Sequence, residues 1–344
     1  MTVDPEIPVP PVHYGGIERI VHMLVSQLVR RGHRVDLFAN PESKPAGALV
    51  PYRGMRSDSL TDTLRNAAHV HAYVRRLSTV DVVHSFSRLA YLARLMPGAI
   101  PLIQSYQRRV SPRSVTLGDM LTRSRLTFVA CSEYCRSTAS NKGARWRVIP
   151  NGAPLDAYTF RAHVERDAPL VFLGRVEALK GPHVAIEVAR RAGCRLVIAG
   201  NHATSGPEAD YFSRDILPHC DGRSVTYVGP VDDRAKNELL GSARALIFPV
   251  QVDYDAAPIV LPEALACGTP IIAFPRGGAT EVVRSGVTGF ACTSVDEMIE
   301  AARAVESIDR AACRRIFEER YSDSAIADQY ESLYRSLLSA ARAA

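Results

Sequence analysis

Short apolar runs alternate with longer amphipathic stretches from one end of the chain to the other. Ile17, Ile20, Val21, Leu24, Leu28 and Val29 recur at helical spacing and Gly32 follows as a stop, so the pattern predicts a helix over 17–31. Val35 to Phe38 then reads as a strand. The same alternation predicts a helix at Thr61–Leu77, a strand at Val80–His84, a helix at Leu89–Met96 and a strand opening at Pro101. A further strand is expected at Leu126–Cys131, with Ser132 capping the helix behind it. Val148-Ile149 closes this half, before Pro150-Asn151-Gly152.

The second half repeats the scheme. Strands are predicted at Leu170–Leu173, Leu196–Ala199, Val225–Val228, Leu246–Phe248 and Ile271–Phe274. Helices are predicted at Pro182–Ala192, Ala209–Leu217, Arg234–Ser242 and Val260–Ala266. Continuous apolar strands separated by helices imply parallel sheets covered on both faces. Two such sets in tandem make an α/β protein of two doubly wound, Rossmann-like domains. The junction falls in the polar stretch Asn151–Asp167, giving domains at 1–155 and 156–322. A last helix, about 323–344, carries Ile326, Tyr330, Leu333, Tyr334, Leu337 and Leu338 and must bury that stripe, which is expected to cross back onto the first domain. One irregularity is expected at the start. Only Met1-Thr2-Val3 precedes Asp4-Pro5, so either the first strand is very short or the chain starts late.

Composition narrows the class. With 344 residues, 47% hydrophobic and 23% charged, the chain suits two globular domains. No apolar run reaches the roughly 20 residues of a membrane span, and the first twenty residues lack a basic start followed by an apolar core. A cytoplasmic protein is expected. Its seven cysteines are scattered without metal-ligand spacing, which predicts free thiols and no structural zinc. The net charge of +6 is modest for this length. No nucleic-acid signature accompanies it; a solvated surface is the plainer reading, with a phosphorylated substrate or peripheral contact with an anionic inner membrane face as the functional ones.

Three segments carry candidate chemistry. Tyr14-Gly15-Gly16-Ile17 stands directly before the first helix, where glycines admit a ligand to the backbone and free N–H groups suit an anion; a plain tight turn fits the same residues. Leu173-Gly174-Arg175 ends a strand, and Lys180-Gly181 precedes the next helix. Arg offers a two-pronged fork and Lys a point charge, together suited to a diphosphate. The third segment runs from Asp255 through Ala256, Ala257, Pro258 and Ile259 to Glu263. Its two carboxylates stand eight apart on a loop and the following helix, placed to accept hydrogen bonds from vicinal hydroxyls. Solvated cations and a capping aspartate are the plainer readings. His84, closing a strand, is a candidate cleft residue, although a lone histidine is more often structural.

Taken together these segments resemble the retaining nucleotide-sugar glycosyltransferases of family 4, with the fold called GT-B. The resemblance is most specific at Gly174-Arg175 with Lys180-Gly181, and at Glu263-Ala-Leu-Ala-Cys-Gly-Thr-Pro-Ile-Ile-Ala273. It implies two domains facing a central cleft and transfer of a hexosyl group from a nucleoside-diphosphate sugar to a hydroxyl acceptor such as a glycan, a lipid-linked sugar or a small metabolite. It implies no bound metal or other cofactor. By the same resemblance Arg175 and Lys180 hold the donor diphosphate, Asp255 sits by the transferred sugar, and Glu263 holds the ribose. Ala256, Pro258 and Ile259 offer backbone groups to the sugar, and Gly15 and Gly16 approach the donor from the first domain. The sequence departs from the family pattern in three places. Asp255 replaces a glutamate, Pro258 replaces a glycine and has no N–H to donate, and Gln107 stands where a histidine often ends its strand. A GT-B phosphorylase or epimerase, and a sugar-nucleotide binder without activity, share this scaffold. A nicotinamide oxidoreductase is disfavoured, since no Gly-x-Gly-x-x-Gly follows a strand.

Overall fold

A computed structural model describes the chain apart from residues 13, 14, 123, 124, 140–142 and 344 and the side chains at positions 112 and 343. Tyr14 of the glycine turn lies outside the described residues. The chain divides into two compact units, Met1–Asn151 with Asp323–Ala344, and Gly152–Ser322.

The first unit contains α1 (Gly16–Arg30), β1 (Asp36–Ala39), β2 (Ala48–Pro51), α2 (Leu60–Arg76), β3 (Val83–Ser85), β4 (Leu102–Tyr106), α3 (Pro112–Leu121), β5 (Thr127–Ala130), α4 (Glu133–Ser137) and β6 (Arg145–Val148). All strand pairs are parallel. The very short first strand is real. Thr2 N donates to His84 O at 3.0 Å and Val3 N to Phe38 O at 3.1 Å, so Met1–Val3 lies between β1 and β3 and joins them into one sheet. The strand order is therefore β2, β1, the 1–3 segment, β3, β4, β5, β6. Ser132 caps α4 through Cys135 N, at 2.9 Å. The helix expected at Leu89–Met96 is instead a 3-10 stretch at Leu89–Leu92 followed by turns. Pro97 and Gly98 end the segment after too few residues to nucleate an α-helix.

The second unit contains β7 (Leu170–Leu173), α5 (Pro182–Ala192), β8 (Leu196–Ala199), α6 (Pro207–Tyr211), β9 (Val225–Gly229), α7 (Asp233–Ser242), β10 (Ala245–Phe248), α8 (Val260–Ala266), β11 (Ile271–Ala273), α9 (Ala279–Val282), β12 (Gly289–Ala291), α10 (Val295–Ala304) and α11 (Arg310–Arg320). Its parallel sheet has the order β12-β11-β10-β7-β8-β9. The continuous apolar runs of the sequence divide here by parity. Ala245 and Ile247 join Leu170, Phe172, Ile198 and Ile272 in one core, whereas Leu246 and Phe248 join Ile271, Ala273, Leu261 and Phe317 in another. Alternate residues of a strand point to opposite faces, so a strand buried on both sides feeds two cores. The helix predicted at Ala209–Leu217 breaks up after α6 into a π-helical and then a 3-10 turn, because Pro218 has no N–H to continue it.

In each unit the strands run outward in both directions from the first strand, and the chain reverses beside it. In the second unit that reversal lies between the hydrogen-bonded neighbours β7 and β10. Open α/β sheets bind ligands at the carboxyl ends of strands flanking such a point.

The C-terminal helix α12 (Asp323–Ala343) belongs to the first unit and packs on α1. Ile326, Tyr330, Leu333 and Leu337 are buried, each contributing about 1.5–3 kcal/mol by removal from water. Arg31 pairs with Asp328 at 2.6 Å and with Glu331 at 2.8 Å, and these contacts fix the register of the two helices.

Candidate active site

Gly181 has φ 75°, a left-handed conformation, and a Cβ there would lie 2.4 Å from the Pro249 carbonyl oxygen. Only glycine lets the start of α5 approach the end of β10 so closely. The approach brings Lys180, from the β7–α5 loop, against Asp255, from the β10–α8 loop, and the two side chains form an ion pair. The ammonium also lies 5.5 Å from the centre of the Tyr254 ring. A pair of glycines also holds the acid loop. A Cβ on Gly277, at φ 55°, would meet Asp255 O at 2.3 Å, and one on Gly278 would meet Ala256 O at 2.1 Å. Gly277 N donates to Asp253 Oδ1 at 2.8 Å and Gly278 N to Asp255 O at 2.9 Å.

Arg175 follows Gly174 at the carboxyl end of β7 and pairs with Glu177. Both predicted cations thus stand at the strand ends that flank the reversal of the sheet, each beside a carboxylate. Pro258 and Ile259 lead into α8. Ile259 O accepts from Glu263 N at 3.1 Å, which sets Glu263 one turn into that helix. Its side chain is buried, with the residue 6% exposed. A carboxylate so placed needs partners, and they come from residues that the sequence pattern did not single out. The Tyr158 hydroxyl donates to Oε1 at 2.7 Å and Lys236 Nζ to the same oxygen at 2.6 Å. Lys236 stands four residues before the buried Leu240 on α7. A charge on the apolar face of an amphipathic helix was the readable sign. Tyr158 lies in the junction, where there is no periodicity to read.

In the first unit Gly15 is packed against Pro11, and a Cβ on it would meet Pro11 Cβ at 2.7 Å and the Glu18 carboxylate at 2.9 Å. The N-terminal turn of α1 therefore already has a carboxylate, Glu18, beside it. Burial raises the pKa of Glu18, and its own backbone N–H opposes that shift. Gln107 follows β4, half-buried, and its Oε1 has no hydrogen-bond partner among the described residues. His84 is a correction. It is 1% exposed, with Nδ1 2.7 Å from the Tyr334 hydroxyl and Nε2 2.7 Å from Ser105 Oγ. Burial drives its pKa well below the ordinary histidine range, so the ring is neutral, one nitrogen donating and the other accepting. It is a buried residue with both ring nitrogens satisfied, beneath α12 and at the wall of a cavity within the first unit. Among the described residues no group of three or more His, Cys, Asp or Glu could hold a metal ion, and no helix is long and apolar enough to cross a membrane.

Comparison with known proteins agrees with this arrangement over nearly the whole chain. Residues 14–157 match the family described as Glycosyltransferase Family 4, and residues 160–323 match Glycosyl transferases group 1. The glycogen synthase of Mycobacterium tuberculosis is 27% identical over 365 residues, covering 89% of this chain and 86% of that protein. Among solved structures, AviGT4, a glycosyltransferase involved in avilamycin A biosynthesis, superposes with a TM-score of 0.71 at 24% identity, covering 98% of this chain and 94% of its own. Anabaena HepE, solved in complex with UDP-glucose, gives 0.70 at 16% identity, covering 97% and 98%. With the two family matches divided between its two Rossmann-like units, the chain belongs to the family 4-type glycosyltransferases of GT-B fold.

Proposed function

We propose that this glycosyltransferase takes a sugar from a nucleoside-diphosphate sugar and transfers it to a hydroxyl acceptor with retention of anomeric configuration. The observation that carries the reading is the junction of Lys180 with Asp255, and of Arg175 with Glu177, at the carboxyl ends of β7 and β10. HepE, which shares the fold, binds UDP-glucose, and this supports a nucleotide-sugar donor. In the reaction the bond from the anomeric carbon to the phosphate oxygen breaks and the acceptor oxygen bonds the same face of that carbon. The acceptor proton passes to the departing phosphate. Arg175 and Lys180 stabilise the charge that develops there, so the step needs neither a protein base nor a metal. The amide of Gln107 cannot take up that proton, and the step does not call on it. Asp255 faces the transferred hexosyl group and Glu263 the ribose. Thermal shift against the diphosphates of uridine, guanosine, adenosine and thymidine tests the donor side. One of them is expected to raise Tm by several degrees at millimolar concentration, and no shift with any of the four would sink the proposal.

Charge distribution supports an acceptor at an anionic surface. The first unit carries 23 Lys and Arg against 13 Asp and Glu, the second 19 against 23. On α3 the exposed Leu117, Met120 and Leu121, at 50%, 66% and 48%, share a face with exposed Arg113, close to Arg108 and Arg109. Apolar side chains rimmed by arginine suit the headgroup region of an anionic bilayer. The protein is expected to sediment with vesicles containing phosphatidylglycerol and not with pure phosphatidylcholine. Equal sedimentation with both, or with neither, would count against this contact.

A further inference from the structure

Glu263 Oε1 is fully engaged. It receives a phenol O–H and an ammonium N–H, and Lys236 is itself held by Asp233 at 3.2 Å and lies 5.6 Å from the centre of the Tyr158 ring. Oε2 is in the opposite situation, since it takes no hydrogen bond from the described residues and is not sealed from solvent. A carboxylate anchored through one oxygen cannot rotate without breaking two charge-assisted or short hydrogen bonds. The other oxygen is thereby fixed, with two lone pairs to offer.

We infer that Tyr158 and Lys236 are positioning residues that lock Glu263 so that Oε2 alone receives a vicinal diol, which makes the donor a ribonucleotide sugar rather than a 2′-deoxyribonucleotide one. The inference rests on the proposed placement of ribose at Glu263 and deepens it. Two hydroxyls of a cis diol stand close enough to share one oxygen, whereas a deoxyribose offers only one. Burial and the neighbouring carboxylate push the Tyr158 hydroxyl well above its ordinary pKa, so it remains a donor at all working pH values. The lysine pairs with the same buried carboxylate oxygen at 2.6 Å. Neither group has to touch the ligand.

The test uses the full chain and the ribonucleoside diphosphate that gives the largest thermal shift, compared by calorimetry with its 2′-deoxy and 2′,3′-dideoxy forms and with inorganic pyrophosphate. The wild type is expected to prefer the ribose form at least tenfold. Tyr158→Phe and Lys236→Met are each expected to reduce that preference at least threefold while leaving pyrophosphate and dideoxy binding unchanged, and Lys236→Arg is expected to restore it. In transfer assays the same variants should raise the donor KM and leave kcat within about twofold. A merely structural role would lower all of these affinities together, and that result overturns the inference. Glu263→Gln separates the two levels of the argument. If it removes the ribose preference while Tyr158→Phe and Lys236→Met retain it, the positioning role fails and the site reading stands. If Glu263→Gln itself keeps the full preference, the placement of ribose fails, and the inference with it.

Discussion

Replacing Arg175 and Lys180 together by alanine is expected to lower kcat/KM for sugar transfer by about 10^3 or more, while Tm changes by no more than a few degrees. Loss of a single preorganised donor at a developing oxyanion costs about 10^2–10^3 in rate. The two cations act on the same departing group, so their losses will not simply multiply. The fold should survive, because the contacts that shape the loops are made by backbone. Gly181 against Pro249, and Gly277 and Gly278 against the acid loop, involve neither side chain. Each cation lies at the site's edge, with side-chain exposures of 32% for Arg175 and 15% for Lys180, so truncation opens no large cavity. Transfer assayed at saturating acceptor, beside a thermal melt, checks both parts. An unchanged rate would end the case for these residues.

Asp255→Asn is expected to move binding and turnover in opposite directions. The neutral amide occupies the same space, and the loop is still held through Gly278 N on the residue-255 carbonyl. Lys180 loses its carboxylate partner and becomes fully available to an incoming diphosphate. Affinity for the nucleoside diphosphate should therefore rise several-fold. Turnover should fall by about 10^2, because the charge proposed to face the transferred sugar is gone. General damage to the site would weaken both quantities, so the divergence is diagnostic. Asp255→Glu restores the residue typical of the family and should keep turnover within about tenfold of the wild type. A rise in affinity with undiminished turnover would show that Asp255 only partners Lys180 and has no part at the sugar.

Much of the second unit was legible because its elements obey single rules. The runs Leu170–Leu173 and Leu196–Ala199, and the helices Pro182–Ala192 and Val260–Ala266, occupy the residues that periodicity predicts. Elements with weaker local signals escaped notice. α3 begins after an arginine-rich turn and exposes Leu117, Met120 and Leu121, so its apolar residues do not mark a buried stripe. β2 is a four-residue edge strand with only Val50 fully buried. His84 shows the limit for single residues. Its position at a strand end suggested an open edge, but the Tyr330 and Tyr334 rings of the C-terminal helix cover it.

By itself the sequence determined the parallel α/β class and the positions of most strands, because these depend on local periodicity, and it offered the cations and carboxylates as candidates through the intrinsic chemistry of their side chains and a family resemblance. Only the tertiary structure decided that Lys180 meets Asp255, that Glu263 is gripped by Tyr158 and Lys236, and that His84 is sealed in a core. Those outcomes depend on which distant segments a sheet order brings side by side and on how closely glycines let them approach. Neither property belongs to any stretch of chain short enough to be read alone.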